Sequence, residues 1–411
     1  MLHAIRNIKI GMFIAFANLL IQGISFFVHN FIAKSLSVEN FGYFGLLQTD
    51  YSIFTAIADF GMSTLILAFF AKRATEGSLF RNVLQVRLLC ALMSAVLMAT
   101  FAMTIRFNHP VFWGELILIP ALIFQHSFFD WYFISGKFWK KLLFSKILHA
   151  VSYASIMALA LFYFKFNSIE AIACAMVIAA LPAFFFGVSQ VFHCKILHFT
   201  KRTFRFLLLL LKAAVPYGIG SLASFTYLPA GLYCAGHFAP ANFLGCYFYS
   251  HKLIMLASSL MVFFISSSLV NLHNQKNNSI LLRDNFLFTA FISIFCIPLF
   301  LFPDFILKIV FFAVQWDISN LNISAYCLRI LTISLILQAL RMHLVSIMLK
   351  EKKTGIYGIF ICIGGAFNIS ASLVAGAFLH YNFIPLATLV GDLVFTIMLY
   401  GYFFKLRRIC W

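Results

Sequence analysis

The chain has 411 residues, of which 63% are hydrophobic and only 10% charged, with a mean hydropathy of +0.97. A water-soluble domain has about a quarter of its residues charged, so this composition excludes a soluble globular protein and makes a lipid bilayer the solvent. The net charge of +18 resembles that of a nucleic-acid binder, but the placement of the basic residues decides its meaning.

A helix needs roughly 20 apolar residues to cross about 30 Å of hydrocarbon. Twelve such stretches are predicted, near 10–33, 42–70, 83–105, 112–135, 143–164, 169–191, 207–235, 243–271, 286–310, 324–348, 355–379 and 383–404. The first lacks a small-residue cleavage site and is expected to be retained as a helix. Nothing remains for a soluble domain, so the fold class expected is an all-α integral membrane protein. The 53 phenylalanines are expected to be mainly lipid-facing.

Lys and Arg fall in every second loop. One side carries Arg6, Lys9, Lys72, Arg73, Arg81, Arg87, Lys137, Lys140, Lys141, Lys146, Lys195, Lys201, Arg202, Arg205, Lys212, Lys276, Arg283, Lys350, Lys352, Lys353, Lys405, Arg407 and Arg408. The other carries Lys34, Arg106, Lys165 and Lys308. Cytoplasmic loops retain positive charge during insertion, so both termini are expected in the cytoplasm and the helix number is even. The charge is topogenic, and no nucleic-acid partner is implied.

The nine cysteines lie mostly inside the stretches without CxxC or CxxH spacing, and the twelve histidines form no HExxH pattern. They imply packing rather than a metal or cofactor. Six stretches precede the longest basic loop and six follow it, which predicts lobes at 1–200 and 201–411. Asn40-Phe41-Gly42-Tyr43 opens the second stretch, and Asn242-Phe243-Leu244-Gly245-Cys246-Tyr247 opens the eighth. Repeats of six helices share one orientation, so the substrate path is expected between the lobes, near the midplane.

The segment "AKSLSVENFGYFGLLQTDYSIFTAIADFGM" resembles the helix 1 to helix 2 signature of the Wzx-type flippases. These form the polysaccharide-transporter branch of the superfamily that also holds the MATE multidrug exporters and the lipid II flippase MurJ. The residues that carry the likeness are Leu36, Ser37, Glu39, Phe41 and Gly42 in the turn, and Asp59, Phe60 and Gly61 at the helix end. Pro216 and Lys252 fit the second-half counterpart, and "KKTGIYG" fits more loosely. One departure is "TYLPAGLYCAG", where Pro229 stands near the position of an Asp in that family. The resemblance implies a flippase for an undecaprenyl-diphosphate-linked oligosaccharide, such as an O-antigen or lipopolysaccharide repeat unit, in the bacterial inner membrane. It implies membrane lipid, a polysaccharide polymerase and a chain-length regulator as partners, with a proton or sodium as coupling ion.

A charge at mid-helix costs roughly 2.5–3.5 kcal/mol on insertion scales, so such residues face a bundle interior or a wet cavity. The expected substrate-path residues are Arg341, with Gln338 three residues away on its face, Lys252, Asp59, Arg87 and Lys212. An Arg fork suits the oxygens of a diphosphate, and Arg87, Lys146 and Lys212 are placed to form a cytoplasmic vestibule. Asp59, Asp392, Asp130 and Asp50 are the candidates for ion coupling or gating. Nine residues separate Asp50 from Asp59, which turns them to opposite helix faces. Two other readings stay open: a MATE-like exporter of amphiphiles, which an acidic cavity would favour, and a membrane enzyme of polysaccharide assembly. The enzyme, a polymerase or acyltransferase, is disfavoured by the short outer loops and the lack of a loop cluster for a general base.

Overall fold

The computed structural model describes residues 20–66, 77–125, 127–191, 201–227, 229–272, 278–310, 316–350 and 353–409. Helix α1 covers residues 20–35. It is followed by α2 (Val38–Asp59), α3 (Met62–Leu65), α4 (Gly77–Ile105), α5 (Phe112–Ile123), α6 (Asp130–Ser135), α7 (Trp139–Ala158) and α8 (Ile169–Val191). Then come α9 (Lys201–Tyr227), α10 (Ala230–Phe238), α11 (Ala241–Leu272), α12 (Asn278–Leu301), α13 (Pro303–Val310), α14 (Ile318–Lys350), α15 (Thr354–Val374) and α16 (Ile384–Ile409). π-helical turns at Leu159–Tyr163 and Ala375–Leu379 extend α7 and α15. No strand occurs among the described residues.

Wherever the structure describes it, each expected stretch coincides with a helix or a broken helix; residues 10–19 of the first stretch and 67–70 of the second lie outside the described residues. The breaks divide 42–70 into α2 and α3, 112–135 into α5 and α6, 207–235 into α9 and α10, and 286–310 into α12 and α13. By length and apolar composition alone, 6 helices of the described residues can each cross a membrane, or 7 if α12 and α13, bent by 90°, count as one. The protein is therefore a multi-pass membrane protein. Its outward surface confirms the solvent: Leu88, Leu92 and Val96 line one face of α4, and Phe144, Ile147 and Val151 one face of α7, all exposed. In water such rows would be buried, but hydrocarbon imposes no such penalty. The phenylalanines divide between both environments, because Phe41, Phe44, Phe80 and Phe133 are fully buried. In lipid the gain from burying them is tight packing rather than escape from water.

The chain packs as two compact units: Leu46–Phe225 is one, and the residues up to Gly45 together with those from Thr226 onward are the other. These boundaries fall inside α2 and α9 and differ from the 200/201 division by repeat. In the first unit Met62 and Leu65 of α3, Phe80 and Val86 of α4, and Trp131 and Phe133 of α6 form one core with Leu142, Val191 and Ala214. In the second, α14 packs against α11, α12, α13 and α16, while α10 packs against α15.

The start of α2 belongs with α11 for a specific reason. Ser37 caps α2 by accepting a hydrogen bond from the Asn40 amide at 3.2 Å, which satisfies a free helix-end donor. A Cβ on Gly42 would stand 2.7 Å from the Gly245 nitrogen, and one on Gly245 would collide with the Val38 carbonyl. Backbones this close tolerate only glycine, the small-residue contact that joins helices in lipid. The two turns matched as a repeat in the sequence thus meet at their glycines.

Candidate functional site

Several groups of buried charge lie within the two units. In Leu46–Phe225, Asp59 ends α2, and Phe60 and Gly61 interrupt the helix with φ of 43° and 69°. A side chain at Gly61 would overlap the Tyr217–Gly218 backbone of α9, so the Asp-Phe-Gly sequence is required by a left-handed turn at a close helix approach. The turn presents the Asp59 carboxylate to α4. Arg87 Nη2 lies 3.0 Å from Asp59 Oδ1, Ser63 donates to the same oxygen at 2.6 Å, and Arg87 Nη1 donates to Ser63 Oγ at 3.2 Å. The guanidinium also lies 4.9 Å from the centre of the Phe128 ring. Arg87 is thus a buried member of an ion pair.

Asp130 opens α6 and lies 3.2 Å from Lys146 Nζ of α7. Its other oxygen is buried without a hydrogen-bond donor, and Arg87 and His149 are close enough to act on it electrostatically. Asp59, Arg87, Asp130 and Lys146 therefore form a chain of alternating charge through α2, α4, α6 and α7.

Asp50, on the opposite face of α2, belongs to another group. Arg106, just after α4, lies 3.3 Å from Asp50 Oδ2 and 3.6 Å from Glu115 Oε1 in the first turn of α5. Both carboxyl groups are fully buried. His109, in the turn between α4 and α5, titrates at about 4 instead of 6.5, because burial and then the nearby Arg106 disfavour its cation. From the sequence alone Arg106 counts as a loop charge, and Glu115 has no assigned role. The signal for Glu115 is an acid inside "VFWGELILIP", at the edge of an apolar stretch.

In the other unit, Arg341 of α14 lies 2.5 Å from Asp392 Oδ1 of α16. Ser334 donates to the second carboxylate oxygen, and Arg341 lies 4.6 Å from the Phe395 ring centre. Thr396 donates to the Asp392 carbonyl at 2.7 Å. Asn368 of α15 packs against Gly391, and Ser372 donates to Asn368 at 3.3 Å, extending the polar seam. Arg341 is buried and charge-matched, which engages the fork that the sequence offered to a diphosphate. Gln338 is half-buried on the same helix, and Lys212 is exposed on α9.

Lys252 differs from these. It lies eleven residues into α11, roughly 16 Å along the helix, partly buried, with its ammonium 5.0 Å from the Phe248 ring centre. It makes no ion pair among the described residues. Asp50, Asp59, Asp130 and Asp392, by contrast, each face a cation.

Long apolar helices with exposed apolar faces and ion pairs buried between them define a polytopic α-helical membrane protein, and its fold is that of the MOP superfamily. The chain is similar to an inward-facing multidrug-resistance MATE transporter of the MOP superfamily, with TM-score 0.70 at 15% identity over 96% of this chain and 98% of that one. It is also similar to the lipid II flippase MurJ in an inward closed conformation, with TM-score 0.76 at 15% identity over 93% and 86%. A third likeness is to a MOP superfamily transporter from Pyrococcus furiosus in which reverse polarity of the binding pocket suggests a different function, with TM-score 0.61 at 13% identity over 96% and 95%. The chain belongs to the polysaccharide biosynthesis protein family, whose model matches residues 9–270. This bears out both the resemblance and the fold class read from the sequence. No curated protein sequence matches the chain.

Proposed function

We propose that this protein flips an undecaprenyl-diphosphate-linked oligosaccharide, the repeat unit of an O-antigen or another surface polysaccharide, across the bacterial inner membrane. The observation that carries this reading is Lys252, a cation without a carboxylate partner among the described residues, in a bundle where Asp50, Asp59, Asp130 and Asp392 are each matched by a cation. An unmatched ammonium in a low-dielectric interior favours an anionic headgroup over an amphiphilic cation. That polarity, with membership of the polysaccharide biosynthesis family, supports a flippase over a drug exporter.

In this mechanism both termini are cytoplasmic, and the six-helix halves 1–200 and 201–411 alternate access to a path near the midplane. Lys252 receives the diphosphate, Lys212 and Gln338 border the path, and the Arg341–Asp392 and Arg87–Asp59 pairs act as gates whose closure is set by charge pairing. Polymerase and chain-length regulator receive the flipped unit outside. The test is surface polysaccharide output in cells that depend on this chain. Lys252→Met is expected to abolish output at normal membrane abundance, with partial recovery in Lys252→Arg. Full output from Lys252→Met would remove this lysine from the path and the reading with it.

A further inference from the structure

The Asp50, Arg106 and Glu115 group is unbalanced. Both carboxyl side chains have 0% exposure, and the single guanidinium between them has 12%. Among the described ion pairs, two carboxylates and one guanidinium leave a net negative charge where water cannot solvate it, an arrangement that low dielectric penalises heavily. The contacts also require a proton. Neither Glu115 oxygen accepts a hydrogen bond from a protein donor, yet the Glu115 carboxyl is within hydrogen-bonding reach of the Asp50 carboxyl. Ionised carboxylates only accept, so a bond between them needs one to carry hydrogen.

We propose that Asp50 and Glu115 form a proton-binding site, in which one proton is held between the two carboxyl groups and Arg106 balances the remaining carboxylate. The reaction is a simple protonation, with the proton drawn from water and returned to it. Arg106, the partly exposed member, leads to the turn containing His109 and marks the route of exchange. Among the described residues, three neighbouring elements carry titratable or charged groups beside the pair. Helix α2 supplies Tyr51, whose hydroxyl donates to the Ala121 carbonyl of α5 at 3.2 Å. The turn after α4 supplies Arg106 and His109. The first turn of α8, which packs beside Gly114 through Ile169, holds the partly exposed Glu170.

Loss of the proton leaves two carboxylates repelling each other across the contact between α2 and α5. The site thereby links protonation to the position of α2, whose other end carries the Asp59 turn. This holds whatever cargo is moved, so it stands or falls separately from the flippase reading.

Infrared spectroscopy of the purified full-length protein in nanodiscs at neutral pH provides the test, through the carbonyl band of a protonated carboxylic acid. The band is expected in the parent protein and is expected to be lost in both Glu115→Gln and Asp50→Asn. In either variant the surviving carboxylate is balanced by Arg106 and needs no proton. Arg106→Gln is expected to strengthen the band, because the second carboxylate then lacks its counter-charge. Each variant is checked for monodispersity, and if one fails to fold, the other carries the test. A parent spectrum without the band, or a band unchanged by both carboxyl substitutions, overturns the proposal. So does a band abolished by sodium, which would assign the place to a metal cation.

Discussion

Arg341 and Lys252 are both cations inside α-helices, and the sequence treats them alike; their partners separate them. Asp392 is 51 residues from Arg341 in sequence, so no local pattern reveals the pair. Removing one member of a buried ion pair leaves a bare charge, which costs about 3–5 kcal/mol, whereas apolar replacement of both is often neutral. Arg341→Ala and Asp392→Ala are therefore each expected to lower the thermal unfolding temperature of the purified protein markedly. Arg341→Met with Asp392→Leu is expected to restore most of it while transport stays lost. Equal melting of single and double variants would show that the pair contributes little to the fold. His109 gives a pH signature of its own. Its folded-state value of about 4 lies below the ordinary 6.5, so the unfolded chain binds the proton first as pH falls. The stability that neutral His109 contributes is complete above 6.5 and is lost as pH drops toward 4. His109→Gln is expected to flatten the dependence of melting temperature on pH in that window, and parallel curves for variant and parent would count against it.

The elements are legible where apolar length defines them, since every long stretch is helical over its described residues. The breaks were less so. Asp59-Phe60-Gly61 is a motif in the sequence, but its cause is the close passage of α9, which comes 157 residues later at Gly218; tertiary crowding of this kind has no local signal. Proline marks some irregularities and not others. Pro303 starts α13 at the 90° bend, whereas Pro120, Pro182 and Pro216 lie inside α5, α8 and α9. Gly61→Ala tests the turn. A Cβ there meets the α9 backbone in a conformation that already disfavours L side chains, and the left-handed strain alone is worth about 1–2 kcal/mol. The variant is expected to melt several degrees lower than the parent, and more so than Gly220→Ala, whose Cβ would meet nothing within 4 Å. A Gly61→Ala protein as stable as Gly220→Ala would mean that α9 yields and that the glycine is dispensable.

At the level of the whole molecule, orientation rests on parity, and parity rests on how broken helices are counted. Helix α5 has 12 residues, about 18 Å at 1.5 Å per residue, too short to cross roughly 30 Å of hydrocarbon alone. With α6 it reaches from the turn containing Asn108 to the turn containing Lys137, and only if the two together make one crossing do those turns lie on opposite sides. The basic residues after α6 argue for this: Lys137, Lys140, Lys141 and Lys146 follow it closely, whereas the turn before α5 has Arg106, which is occupied by Asp50 and Glu115. Both Asn108 and Lys137 are exposed, so cysteines placed there can be labelled. In intact cells with the outer membrane removed, Asn108→Cys is expected to react with a membrane-impermeant maleimide, and Lys137→Cys only after permeabilisation. The parent chain sets the background; its described cysteines are mostly buried, and Cys174, the exposed one, lies within the apolar helix α8. Labelling of both from outside would make α5 and α6 a re-entrant pair and change the helix parity, placing the two termini on opposite sides of the membrane. Labelling of Lys137→Cys alone would invert the molecule, and Lys252 would then have to meet its cargo from the other leaflet.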